Sequence, residues 1–300
     1  MFSLRKYDVS ILLAGCFWGV IGLFTRNLAD LGMTSAGVLI VRSGGCAALF
    51  ILWALWKDPK LLRFRIRDGW LFLLFGGMTF FFTYCYYQSI DRGSLSMACT
   101  LMYSAPVFVM ILSLFVFGER FSRRKLAALV CAVIGCTLVS GALEGKASAG
   151  TAGVIFGLLA GIGYASYSVC IKALSNRGYD SLTINAWGWL LCTAAGIAVW
   201  GPSPALPMVE SARGALLSVG LIVVAGFLPS LLYSLGLRGE EAGRGAVMAS
   251  VEPVVASLTG LLVFGEAPTP LGVLGIVLVL GAVVLLNLGT GKRETEKRCV

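Results

Sequence analysis

Two ionisable residues lie deep within otherwise apolar stretches of this 300-residue chain. Glu252 is the one acid well inside such a stretch, in "SVEPVVASLTGLLVFGE" (250–266), and Arg42 is the one base, in "VLIVRSGG" (38–45). A carboxylate at the centre of an apolar helix costs ~2.5–3.5 kcal/mol, and the Val, Leu and Phe residues between 245 and 264 return roughly 3–5 kcal/mol. The helix tolerates the acid, which still needs a partner or water and marks a candidate functional site. Two roles stay open. Arg42 and Glu252 could form a structural ion pair, or they could handle substrate or a proton, with Arg42 taking a carboxylate and Glu252 an amino group.

Aromatic and amide residues in neighbouring stretches add a polar lining. Tyr84 and Gln88 share one helical face, and so do Tyr164 and Ser168. With Trp18, Tyr103 and Tyr167 they offer hydroxyls and rings suited to an amphipathic or aromatic metabolite. Asn185 and Trp187 are secondary candidates. Pro106, Pro229 and Pro253 interrupt helical hydrogen bonding and are read as kinks or hinges beside a polar, water-filled path. Glu119 and Glu266 each follow a Phe-Gly pair and are read as helix caps.

Other chemistry lacks its residues. There is no histidine, which removes histidine triads, the usual zinc motifs and histidine proton relays. "GALEGKA" is one residue short of a P-loop and has no Ser or Thr after Lys146. The nine cysteines contain no CxxC pair and are read as small apolar residues. No cofactor, metal or enzymatic activity is expected. A membrane-embedded enzyme would need paired carboxylates or a ligand cluster that the apolar stretches do not contain.

The elements that must position these residues follow from composition. The chain is 58% hydrophobic and 13% charged, with a mean hydropathy of +0.87, too apolar for a soluble domain of this length. Ten apolar runs are expected to cross a membrane as helices: approximately 7–27, 34–56, 69–90, 94–117, 122–141, 151–173, 180–201, 213–238, 243–264 and 269–290. The first run has no small-x-small cleavage site and reads as a retained helix. With the amino terminus inside, 19 of the 24 basic residues fall on the cytoplasmic side. They lie at 5–6, 57–67, 120–125, 172–177, 238–244 and in the tail, while Arg26, Arg92, Lys146 and Arg213 fall opposite. Both termini are therefore expected in the cytoplasm. The net charge of +9 is a consequence of topology and does not point to nucleic acid.

The chain also repeats itself. Pro106 and Pro253 are 147 residues apart, as are the F-G-E triplets that end at Glu119 and Glu266, and Tyr86 and Tyr233. "AGCFWG" (14–19) answers "AGIGYA" (160–165) at an offset of 146, and Arg26 answers Lys172. Two five-helix units result, 1–145 and 146–300, divided in "EGKASAG" (144–150). An odd number of spans inverts the second unit, the architecture of secondary transporters with a midplane site between the repeats.

"YSAPVFVMILSLFVFGERFS" and "VEPVVASLTGLLVFGEAPT", with "FWG" and "VLIVRSGG", resemble EamA-type permeases of the drug/metabolite transporter superfamily. The resemblance implies ten helices, an inner-membrane location and export of small metabolites such as amino acids. A lipid-carrier or drug flippase of the same superfamily is the alternative. The candidate partners are a small-molecule substrate, the bilayer, protons and a second copy of the chain.

Overall fold

The computed structural model describes residues 5–92, 95–119, 122–139 and 151–287. The boundary at 145/146, its polar segment and the basic tail lie outside these residues. Fourteen α-helices are described, and no strand occurs among the described residues. They are α1 (Lys6–Gly19), α2 (Ile21–Ala29), α3 (Ser35–Lys57), α4 (Gly69–Asp91), α5 (Leu95–Met102), α6 (Ala105–Phe117) and α7 (Arg123–Val139). The second half contributes α8 (Thr151–Asn176), α9 (Ser181–Trp200), α10 (Ala212–Ile222), α11 (Leu228–Gly239), α12 (Ala242–Ala249), α13 (Glu252–Phe264) and α14 (Pro270–Asn287).

These helices make ten membrane passes, because α1–α2, α5–α6, α10–α11 and α12–α13 are each one pass broken in the middle. Seven continuous stretches, 20 to 28 residues long, are apolar enough to cross a bilayer. The pass formed by α5 and α6, together with α7 and α14, completes the ten. The fold is an all-α membrane protein built of two inverted five-helix repeats.

Local chemistry sets the helix ends. Thr34, Asp180 and Ser211 accept the N–H groups of Gly37, Leu182 and Gly214 at the starts of α3, α9 and α10. Helices α6 and α13 both stop at a left-handed glycine, Gly118 (φ 67°) and Gly265 (φ 69°), a conformation that a Cβ would strain.

The three flagged prolines open new helical segments. Pro106 and Pro253 lie in the first turns of α6 and α13, and Pro229 in the first turn of α11, directly after a π-helical segment, Val223–Phe227. The two broken passes of the F-G-E motif are each gripped by a glycine helix. A Cβ on Gly15 of α1 would come within 2.9 Å of the Ala249 carbonyl oxygen, at the α12–α13 break. A Cβ on Gly161 of α8 would come within 2.8 Å of the Ser104 hydroxyl, at the α5–α6 break. Close packing is thus the role of these glycines, and it holds each break against the first helix of one repeat.

The connections at 58–68, 177–180 and 240–241 share one face of the bundle with Gly118 and Glu119, here termed the basic face. Those at 30–34, 201–211 and 265–269 lie on the other.

Candidate functional site

A cavity of about 560 Å³ opens on the face opposite the basic one. Its mouth is formed by Arg26, Met33, Glu266 and Thr269, and its deeper wall by Trp18, Tyr86, Tyr103, Glu252 and Ser257. At the floor lies a recess of about 80 Å³ that shares Trp18, Ile21, Tyr86, Tyr87 and Glu252 with the cavity and adds Arg42, Tyr164, Tyr167 and Trp189.

The α12–α13 break places Glu252 there. It ends α12 before the pass is complete and starts α13 with the carboxylate facing the cavity. Arg42 comes from the middle of α3. Its guanidinium carbon lies 5.4 Å from the centre of the Trp189 ring, and its Nε is buried without a hydrogen-bond partner. An arginine stacked on an aromatic face and left with an unused donor is poised for an acceptor. Arg42 and Glu252 line one recess, yet no ion pair joins them among the described residues. The direct structural pair considered from the sequence is not formed in this conformation.

The aromatic wall is closely packed. Trp18 packs against Tyr233 at 5.1 Å between ring centres and against Tyr164 at 6.3 Å. Tyr167 stacks on Phe75 and on Tyr233. Tyr233 is fully buried and its hydroxyl lies 2.9 Å from that of Ser168.

Two expected lining residues lie elsewhere. Tyr84 is packed among Phe80, Phe156 and Trp200, and Gln88 accepts a hydrogen bond from Arg92. The shared face of Tyr84 and Gln88 is real, but α4 turns it toward α8 and α9. Tyr86, Tyr87 and Ile90 look into the cavity instead. Asn185 is buried against Ser181 and Ser234, and Trp187 donates to the Leu62 carbonyl, so both serve packing. Cavity contacts of Tyr86, Tyr87 and Trp189 were not singled out from the sequence. The signal for Tyr86 was its repeat match to Tyr233.

The basic face is closed below the recess. Glu119 accepts the backbone N–H groups of Ala242 (2.9 Å) and Gly243 (3.3 Å), so it caps α12 from the other repeat. The expected capping role of Glu119 is thereby met on a helix 123 residues away in sequence. Glu266 instead pairs with Arg26 at 2.8 Å. Asp8, Glu240 and Arg244 form a buried charged cluster, with Arg244 3.2 Å from Asp8 and 3.3 Å from Glu240, and Arg5 2.6 Å from Glu240. Glu240 lies in the connection between two passes. Burial first, and then the neighbouring Asp8, push its carboxyl up to about 7 against the pull of Arg244 and Arg5. No group of metal-ligating residues occurs among the described residues.

A transporter family model matches the chain twice, over residues 5–141 and 151–288. The chain belongs to the EamA-like transporter family. An "uncharacterized transporter" of Archaeoglobus fulgidus is 28% identical over 282 residues, covering 94% of this chain and 96% of that protein. The pseudopaline exporter CntI of Pseudomonas aeruginosa is 25% identical over 286 residues, covering 93% of this chain and 98% of that protein. The fold of this EamA-like chain also matches a solved crystal structure with a TM-score of 0.81 at 17% identity, over 97% of this chain and all of the other. EamA-like membership makes this a multi-pass membrane transporter.

Proposed function

We propose that the chain is a secondary transporter that moves a small zwitterionic or amphipathic metabolite by alternating access. The halves 1–145 and 146–300 would act as its two moving units, with Arg42 taking the carboxylate and Glu252 the amino group of the substrate. One observation carries this reading. An unpaired guanidinium and a carboxylate wall the same recess, open through a larger cavity on one face and sealed on the other. Trp18, Tyr103, Tyr164 and Tyr167 supply the apolar part of the site.

The concentration of positive residues on the sealed face supports reading it as the cytoplasmic one, with both termini in the cytoplasm. The conformation is then outward-open. Export is the favoured direction, in keeping with the relative named as an exporter. Glu252 is the candidate proton carrier.

A thermal-shift screen of purified protein against amino acids, nucleosides and amphipathic cations tests the site. Stabilisation by a zwitterion that disappears in Arg42→Ala supports it. Equal stabilisation of wild type and Arg42→Ala would sink it.

A further inference from the structure

The repeat places one acid and one base at matching positions near each face, and the two sets are arranged differently. At the basic face, Glu119 holds the N–H groups of Ala242 and Gly243, while Lys172 donates to the Leu237 carbonyl at 2.9 Å. The acid thus grips the start of α12 and the base grips the last turn of α11. Together they clamp the two helix ends that flank the 240–241 connection.

At the open face the equivalent residues are bound to each other. Glu266 lies 147 residues after Glu119, Arg26 lies 146 before Lys172, and the two form the 2.8 Å ion pair. The repeat equivalents of the clamped groups are the carbonyl of Ile90, in the last turn of α4, and the N–H groups of Leu95 and Ser96, at the start of α5. Ile90 lines the open cavity. Other pairs report the same asymmetry. Ser257 and Tyr86 line the cavity, whereas their counterparts at an offset of 147, Met110 and Tyr233, are buried.

We propose that Arg26–Glu266 and Lys172–Glu119 are the two positions of one exchange gate. On an open face the acid and base pair with each other. When that face closes they part, the acid moving to the start of one helix and the base to the end of the preceding one. Glu266 therefore takes the N–H groups of Leu95 and Ser96, and Arg26 takes the Ile90 carbonyl, as Glu119 pairs with Lys172 at the opening basic face. The physics favours such an exchange. A carboxylate is stabilised at a helix N-terminus and a cation at a C-terminus, so each charge keeps a partner in both conformations. No charge is stranded at either end point, which keeps the two states close in free energy.

This inference rests on the alternating-access reading, and two readouts on the full chain separate them. The first is labelling by a membrane-impermeant maleimide, quantified on the peptides carrying Ser257→Cys or Met110→Cys. The second is hydrogen–deuterium exchange at Leu95–Ser96 and Ala242–Gly243. Glu119→Gln should reduce labelling at 257, raise it at 110, speed exchange at 242–243 and slow it at 95–96. Glu266→Gln should move labelling and the 242–243 amides the opposite way and leave 95–96 unprotected. Because hydrogen bonds to a charged group are at stake, each shift should be about tenfold. Glu119→Asp and Glu266→Asp, which keep the charge, should recover part of the wild-type pattern and guard against misfolding. Labelling that alternates while 95–96 never gains protection overturns the gate and leaves alternating access standing. Labelling that does not change in any variant overturns both. Shifts of the same sign in Glu119→Gln and Glu266→Gln overturn the reciprocal exchange.

Discussion

Arg42 and Glu252 face one recess without forming an ion pair, although they are the two charges set deepest within apolar runs of the sequence. The guanidinium rests on Trp189 and keeps an unused Nε donor. A direct pair would have satisfied both groups and closed the space between them. Their separation leaves room for a ligand that carries both charges, and this relationship generates the first prediction.

Arg42→Ala should weaken binding of a zwitterionic ligand by about one to two orders of magnitude, the scale of a hydrogen bond to a charged group. Arg42→Lys should restore only part of it, because an ammonium cannot reproduce the planar fork or its stacking on Trp189. Isothermal titration on detergent-solubilised protein measures both.

Tyr86→Ala should impair binding, while Tyr84→Ala and Gln88→Ala should leave the dissociation constant within about twofold of wild type. Tyr86 lines the cavity, and Tyr84 is packed against Trp200. A larger loss from Tyr84→Ala than from Tyr86→Ala would contradict the placement of α4.

Gly15→Val should lower thermal stability and transport together. A Cβ there would lie 2.6 Å from the Val251 side chain and 2.9 Å from the Ala249 carbonyl oxygen. Overpacking of this sort costs about 1–3 kcal/mol, and here it would push directly on the break that positions Glu252. A variant with wild-type melting temperature and transport would remove the gripping role.

Glu240 makes the basic face sensitive to pH. Its carboxyl titrates near 7 when folded, above the ordinary value of 4.5, so the folded chain binds the extra proton between those limits. Stability from this group is therefore greatest at the acid end of that window and falls as pH rises toward about 7. Glu240→Gln should flatten the dependence and stabilise the protein above pH 7. Melting temperatures from pH 5 to 8 test it, and a steeper dependence in the variant would count against the assignment.

Asp8→Ala should be strongly destabilising, on the order of 3–5 kcal/mol, because it removes the carboxylate facing the buried Arg244 guanidinium. Unfolding in urea of Asp8→Ala and of Asp8→Ala/Arg244→Met measures the coupling. The double variant should recover part of the loss.

Much of the fold was legible before any coordinates. The runs at 34–56 and 180–201 match α3 and α9 to within a residue, because apolar length and capping residues such as Thr34 and Asp180 act locally. The breaks at Pro106 and Pro253 were readable for the same reason. The candidate site was legible only in part. Trp18, Tyr103, Tyr164 and Tyr167 line the cavity or its recess, but Tyr84 and Gln88 do not. Neighbours on one helix differ by about 100° in direction, and hydropathy that is apolar all round does not reveal which direction faces the cavity.

By itself the sequence determined that this chain crosses a membrane ten times, in two related halves of opposite sense. Transfer of each side chain into lipid depends mainly on that residue and its near neighbours. Only the tertiary structure decided which charges meet. Arg244 finds Asp8, 236 residues away, Glu119 finds the start of α12, and Arg42 stays apart from Glu252. Those outcomes depend on the rotation and depth of helices packed against one another, and no local stretch of residues encodes them.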